Sequence, residues 1–227
     1  MVSLISNGIS ALHAAQNNLL TTSHNISNAS TPGYHRQQAV QSTNISFDTK
    51  SGSIGGGVQT STIQRVYNQF LNSQLLQLQA QSSQLDAQYS QAQQIDNLLA
   101  DANSGLSPAL QDFFSAVQDV ATNPASVPSR QALINNAEST VSRLQGLDEQ
   151  LSQISRGVNS QIRTSIDDIN SFATQIADLN VNILNIEGTT GQPPNDLLDQ
   201  RDELTHRLSK LINTDVVKQS DGAYNVF

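Results

Sequence analysis

Apolar side chains recur at a spacing of seven along the first thirty residues, on a segment otherwise rich in Ser, Asn and Gln. If residues 2–26 are helical, all of these apolar side chains lie on one narrow side of the helix. This is the pattern of a coiled coil, in which a thin apolar stripe packs against a second helix. The pattern therefore predicts a terminal helix that needs a partner helix. We call its apolar stripe the seam: Ile5, Ile9, Leu12, Leu19 and Ile26.

A segment of non-helical composition follows the terminal helix. Pro32-Gly33 ends the helix, because proline lacks a backbone donor and restricts the residue before it. Val40, Ile45 and Phe47 then stand in a Ser/Thr/Asn/Gln-rich stretch that leads to a run of glycines. This composition predicts extended or short β structure with a glycine-rich turn over residues 31–62.

Apolar residues at a spacing of seven also predict long helices further along the chain. One covers residues 63–102, a short one starts at Ser107-Pro108, and the longest covers residues 129–187. Serine is a good helix cap and proline is favoured at the first helical position. A helix over 129–187 would be about 90 Å long at ~1.5 Å per residue. It is therefore either part of a rod or bent, most readily at Gly146 or Gly157.

The last part of the chain predicts one more helix and a hairpin. A loop at 188–194 precedes a helix over residues 196–212, which Asn195 caps. Two short apolar segments then flank Asp221-Gly222, which is a hairpin signal. The chain stops inside the second predicted strand, which suggests that it is truncated.

The predicted fold is mainly α: an elongated bundle of long helices with a coiled-coil-like terminal helix and a small β portion. That β portion consists of residues 31–62 and the C-terminal hairpin. We predict a terminal coiled-coil helix over residues 1–30, an elongated α-helical domain over 31–212, and the start of a truncated β domain over 213–227.

Composition excludes several classes of function. The net charge is −8, and the 11 basic residues are scattered, which argues against nucleic acid and against an anionic membrane surface. No stretch of about 18 apolar residues predicts a membrane-spanning helix, and no signal peptide is readable. Cysteine is absent, which excludes disulfides and thiolate metal sites.

One cluster of titratable residues is a candidate metal site. Asp199, Glu203 and His206 share a face of the last predicted helix and could hold a divalent ion. The same segment also offers the i,i+4 pairs Glu203–Arg207 and Asp202–His206, each worth about 0.2–0.5 kcal/mol. We favour this electrostatic role, and predict no metal site and no cofactor.

Other candidate sites are weaker. His13 and His24 share a helix face but lie about 16 Å apart, too far for one metal ion. The glycine run at 52–57 lacks the Gly-Lys-Ser/Thr ending of a phosphate loop. No Ser-His-Asp or Cys-His arrangement is present, so the sequence predicts no catalytic residues. Three glycosylation sequons are attributed to chance in a Ser/Asn-rich chain; they begin at Asn25, Asn28 and Asn44.

Two motifs carry a family resemblance. The turn motif follows the terminal helix and resembles the N-terminal motif of bacterial flagellar axial proteins, a class that includes rod, hook and hook-associated proteins. The α5 motif, named after the fifth predicted helix (residues 196–212), lies within residues 194–204. It resembles the flagellar hook-associated protein 1 family, as do residues 95–101 and 130–134. The turn motif is Asn28, Thr31, Pro32, Gly33, Tyr34 and Arg36. The α5 motif is Asn195, Asp196, Leu197, Leu198, Asp199 and Arg201.

The resemblance implies a structural, non-enzymatic role in motility. Subunits of this family are expected to assemble into a ring at the hook–filament junction, between the hook protein and a second junction protein. They are expected to leave the cell through the flagellar type III export channel without a cleaved signal peptide. The seam is expected to pair with a C-terminal helix of the same protein, and a flagellar export chaperone to bind that C-terminal region, both absent from this chain.

Three alternatives remain open at this point. Flagellin and an exported coiled-coil interaction protein of a virulence-type secretion system share the seam, but neither is expected to carry the turn motif. A metal-dependent enzyme would use Asp199, Glu203 and His206, and metal analysis of the purified protein would detect it.

Overall fold

A computed structural model describes residues 4–50, 52–99, 105–220 and 222–227. Within those residues, helices predominate and strands are short and antiparallel, so the predicted mainly α fold with a small β portion is confirmed. The helices are α1 (Leu4–Ser27), α2 (Gln69–Leu99), α3 (Leu106–Thr122), α4 (Val127–Thr190) and α5 (Asn195–Ser209). The strands are β1 (Gln37–Thr43), β2 (Phe47–Thr49), β3 (Gly52–Ile54), β4 (Val58–Arg65), β5 (Val216–Lys218) and β6 (Tyr224–Val226).

The chain forms two compact units. The first combines residues 1–81 with residues 169–227, and the second is residues 82–168. The domain boundaries expected at residues 30 and 212 stay a prediction.

In the first unit, a β arm follows α1. β1 pairs with β4 and β2 pairs with β3, so the strands within residues 37–49 and 52–65 form two antiparallel ribbons, the β2–β3 ribbon being nested between β1 and β4 in the chain. This confirms β structure in the region predicted for it, but the start of the next helix was predicted wrongly. β4 continues to Arg65, and α2 begins only at Gln69. The Asn68 side chain sets that start, because its Oδ1 accepts the backbone N–H of Leu71 at 3.2 Å.

The core of the first unit lies between α4, α5 and the hairpin. Ile176, Ile183 and Leu208 are almost fully buried there. β5 and β6 form the predicted hairpin, and Asn180 of α4 holds it by exchanging hydrogen bonds of 3.0 and 3.1 Å with the Tyr224 backbone. The predicted turn residue Asp221 lies outside the described residues.

The ends of α5 differ from the prediction. Asn195 was expected to cap the helix, but it is the first helical residue and makes no capping bond. Its side chain is used elsewhere, because Nδ2 donates to the Ile63 carbonyl of β4 at 2.7 Å. The helix ends at Ser209 rather than at residue 212, where the chain closes a turn through the bond from Leu211 N–H to the Leu208 carbonyl.

The second unit contains α3, the C-terminal part of α2 and the N-terminal part of α4. Thr140 of α4 is buried and donates to the Ala109 carbonyl of α3 at 3.2 Å. Serine 107 was expected to cap α3, but the helix starts at Leu106, and its cap position is Gly105. The end of α2 predicted at residue 102 lies outside the described residues.

α4 runs without interruption from Val127 to Thr190, through Gly146 and Gly157. None of the helices in the described part of the chain is both long and apolar enough to span a membrane.

Candidate functional site

The seam residues lie on the solvent-facing side of α1. Their exposed fractions range from 49% at Ile9 to 72% at Ile26. The opposite side of the helix packs on the β arm, where Ala14 and Thr21 are buried. The chain therefore covers the small and polar side of α1 and leaves the apolar stripe open. The sequence predicted the stripe, but it did not predict the second, intrachain contact.

The turn motif is a compact hydrogen-bonded turn directly after α1. The Asn28 side chain donates to the His24 carbonyl at 3.1 Å, and Thr31 donates to Asn28 Oδ1 at 3.2 Å. The backbone N–H of Tyr34 donates to the Thr31 carbonyl at 3.2 Å. Gly33 takes a positive φ of 77°, a region that suits glycine. Pro32 and Arg36 have exposed side chains, and the Arg36 carbonyl accepts a bond from Val66 N–H at 2.8 Å.

The turn motif contacts α5, which lies more than 150 residues further along the chain. A Cβ added at Gly33 would lie 2.8 Å from Glu203 Cβ, so glycine allows the close approach. The His35 backbone N–H and its ring Nδ1 reach the two oxygens of Asp199 at 3.0 and 2.8 Å. Gln37 Nε2 donates to Asp196 Oδ1 at 2.8 Å. The turn motif and the α5 motif, recognised separately in the sequence, are thus one site.

A buried ion pair lies beneath this contact. Arg65 Nη1 donates to Asp199 Oδ1 at 2.7 Å and to Asp202 Oδ2 at 2.5 Å. All three side chains are less than a tenth exposed. Burial lowers the pKa of Arg65, but the two carboxylates outweigh this and raise the pKa above its usual value. Arg65 therefore keeps its charge and neutralises part of a buried acidic pair.

A second buried arginine ties α5 to the hairpin. Arg201 Nη1 donates to Asn180 Oδ1 at 2.9 Å and to the Gly222 carbonyl at 3.0 Å. Its guanidinium stacks 3.6 Å above the Tyr224 ring, a cation–π contact. Burial and the Asp202 carboxylate both raise the pKa of Tyr224, so its hydroxyl stays protonated at neutral pH. Two arginines and two aspartates thus hold the arm, α5 and the hairpin together.

The residues considered as metal ligands point to different partners. Glu203 pairs with Arg207 at 2.9 Å, as expected for i,i+4 neighbours, and His206 Nε2 donates to Asn72 Oδ1 at 2.9 Å. Among the described residues, the titratable groups that do come together are His35, Asp199 and Asp202. The Arg65 guanidinium already bonds to both of these carboxylates, so it stands where a cation would bind.

The remaining α5 motif residues lie around this network. Leu197 and Leu198 are half-buried, and Asp196 is exposed, with His24 Nε2 3.3 Å from its Oδ1. Asn195 has a structural role on β4, shared with Gln192, whose Nε2 donates to the Ser61 carbonyl at 3.2 Å.

His35 and Arg65 also belong to the site, although the sequence did not predict them. His35 directly follows the turn motif, and Arg65 is the only basic residue between Lys50 and Arg130. A lone positive charge in a long neutral stretch is a signal, but its partners lie more than 130 residues away. No spacing rule connects positions that far apart.

Comparison with known proteins identifies the family. A family model described as the flagellar hook-associated protein FlgK helical domain matches residues 92–227, and one described as the flagella basal body rod protein matches residues 5–35. The chain is 43% identical over 227 residues to flagellar hook-associated protein 1 of Salmonella typhimurium and 40% identical over 227 residues to that of Escherichia coli. It is 27% identical over 220 residues to that of Bacillus subtilis.

These alignments cover 100%, 100% and 93% of this chain, but 41%, 42% and 43% of the respective relatives. The chain therefore spans less than half the length of the relatives it matches. Their names attach the relatives to the bacterial flagellum. Because the helical-domain model matches more than half of its residues, this chain belongs to the flagellar hook-associated protein FlgK family.

Proposed function

We propose that this chain belongs to a structural subunit that forms the junction between the flagellar hook and filament. The observation that carries the proposal is the seam, which stays exposed although the other side of α1 is packed within the chain. An exposed stripe with coiled-coil spacing needs a partner helix from outside the described fold. Similarity to hook-associated protein 1 along the full chain supplies the flagellar context.

The proposed partners are the hook protein on one side, a second junction protein on the other, and further copies of the same subunit in a ring. The seam pairs with a C-terminal helix of the same protein, and these paired helices form the inner tube. A flagellar export chaperone binds outside the residues of this chain.

The proposed location is extracellular, at the hook–filament junction. The subunit leaves the cell through the flagellar type III channel without a cleaved signal peptide. The absence of cysteine from all 227 residues is compatible with folding after export in any redox environment.

We propose no enzymatic role. Asp199 and Asp202 are bonded to Arg65, and His206 is bonded to Asn72, so these side chains are engaged in holding the fold. Metal analysis of the purified protein tests this part of the proposal. Stoichiometric bound metal would contradict it.

Deletion of the gene tests the junction role. We expect cells with intact hooks, no attached filaments, and filament subunits secreted into the medium. Electron microscopy of purified hooks and analysis of the culture supernatant measure this. Restoration by the intact full-length gene is the control, and filaments of normal number in the deletion strain would refute the proposal.

A further inference from the structure

α1 carries a second ordered stripe about half a turn from the seam, and this stripe faces the β arm. Its members recur three and four residues apart, which is the spacing of one helix face. They are small or polar rather than large and apolar, and two of them are buried. The stripe consists of Asn7, Ser10, Ala14, Asn17 and Thr21.

Hydrogen bonds tie this stripe to the strand β4 and to the glycines before it, where Asn7 Nδ2 donates to the Gly55 carbonyl at 3.4 Å. Asn17 Nδ2 donates to Thr60 Oγ1 at 3.1 Å. The Val58 backbone N–H donates to Ser10 Oγ at 3.3 Å. These bonds have direction, so they hold one rotational setting of the helix about its axis, unlike apolar contacts alone.

At Gly57, the arm approaches α1 so closely that it leaves little room for another rotational setting of the helix. It has a positive φ of 95°, and a Cβ added there would lie 2.3 Å from Ser10 Oγ. There is no room at that point for a side chain on the arm. A rotation of α1 that turned Ile9 or Leu12 toward the arm would bring a branched side chain to the place that Ser10 now fills.

We propose that Ser10, Asn17 and Gly57 are positioning residues that set the rotation of α1, so that the seam faces away from the arm. The glycine-rich turn thus has a defined role instead of serving as a flexible connection. The inference rests on the proposed function, because the orientation of α1 has a use only if the seam receives a partner helix.

Thiol labelling can measure this orientation, since the chain contains no cysteine. In the full chain, Ala14→Cys places one thiol on the packed side of α1, where the residue is 4% exposed. Leu12→Cys places one on the seam, where the residue is 71% exposed. Each is labelled with a maleimide in three backgrounds: unchanged, Gly57→Ala, and Gly55→Ala.

Gly55→Ala is the matched control, because a Cβ added there meets nothing within 4 Å and its φ is not positive. We expect Gly57→Ala to speed labelling of the Ala14→Cys thiol by about tenfold, because the added Cβ would collide with Ser10 Oγ at a backbone conformation that already disfavours an L residue. Gly55→Ala should change it less than about twofold. Equal labelling in the two glycine variants, or slow labelling in both, would overturn the inference.

Circular dichroism shows whether Gly57→Ala still folds. If it does not, a second variant tests the same inference. Ser10→Ala removes the acceptor of the Val58 N–H without backbone strain. We expect about threefold faster labelling of the Ala14→Cys thiol, the value of one hydrogen bond. No change would count against the inference whatever Gly57→Ala does. Labelling is measured on the isolated protein and tests the orientation of α1, whereas filament attachment is measured in cells and tests the proposed function. Either result can therefore be negative while the other is positive.

Discussion

Helices α1 and α5 depart from the usual distribution of side chains in opposite ways. α5 buries charged residues, with Arg201 and Asp202 each 1% exposed, while α1 exposes large apolar ones such as Leu12 and Leu19 at 71%. Buried charges are tolerated when they are paired or hydrogen-bonded. Asp202 pairs with Arg65, and Arg201 donates hydrogen bonds to Asn180 and to the Gly222 carbonyl. Leu12 and Leu19 have no such cover among the described residues. The charged residues of α5 therefore find their partners within the chain, whereas the seam of α1 is the surface for which we propose a partner helix.

The comparison predicts the largest loss of stability at the buried ion pair. Arg65→Met leaves Asp199 and Asp202 as adjacent buried carboxylates. We expect the free energy of unfolding to fall by about 3–5 kcal/mol in urea titrations. Arg36→Met changes an exposed arginine near the same arm and should cost less than about 0.5 kcal/mol. Similar losses in the two variants would show that the ion pair does not hold α5.

A smaller loss is expected where the turn motif meets α5. Gly33 and Gly191 both have positive φ, 77° and 66°, but only a Cβ at Gly33 would meet a neighbour, Glu203 Cβ at 2.8 Å. We expect Gly191→Ala to cost about 1–2 kcal/mol from backbone strain alone. Gly33→Ala should cost about 1–3 kcal/mol more from overpacking. Thermal and urea unfolding of both variants measure the difference, and equal costs would mean that α5 yields to the added methyl group.

The stability of the chain should depend on pH through His206 of α5, whose side chain bonds to Asn72. Burial lowers the pKa of His206 below 6.5, and Glu203 and Asp202 oppose this while His35 and Lys210 add to it. The unfolded chain therefore takes up a proton that the folded chain resists. Stability contributed by this residue is present above about pH 6.5 and is lost as the pH falls below that value.

His206→Gln should make the free energy of unfolding less dependent on pH between about 7.5 and 5.5. The control is His13→Gln, an exposed histidine on α1. If both variants keep the slope of the unchanged chain, His206 does not titrate as its burial implies.

The smallest effect on stability is expected at the seam. Leu12→Ser with Leu19→Ser should change the free energy of unfolding of the chain by less than about 0.5 kcal/mol, because both side chains are exposed. The same pair, placed in the full-length gene, should abolish filament attachment. Val181→Ser, an exposed apolar residue of α4 outside the seam, is the control and should leave attachment normal. A large loss of stability in the seam variant would mean that α1 packs through this side already.

Local patterns in the sequence predicted much of the fold. Spacing of seven located α1, α2 and α4, and Pro32-Gly33 marked the end of α1. Errors of a few residues arose where side chains had alternative partners. Asn195 looks like the cap of α5 in the sequence, but its side chain bonds to the Ile63 carbonyl of β4. At the start of α2, the side chain that caps the helix belongs to Asn68.

The site was predictable in part. The turn motif and the α5 motif could each be recognised, because each is contiguous in sequence. Their contact could not, since it depends on Gly33 meeting Glu203 and on His35 and Arg65 meeting Asp199. The packed stripe of α1 was also missed, because small polar residues carry no hydrophobic signal.

The two side-chain amides that bond to β4 have a consequence for the edge of that strand. The carbonyls of Ser61 and Ile63 accept bonds from Gln192 and Asn195, so they are occupied without a further strand. Open strand edges are templates on which other chains add and aggregate. A foreign strand approaching β4 must first displace two amides of the chain itself. Gln192 and Asn195 thereby protect this edge of β4 against pairing with a strand from another chain.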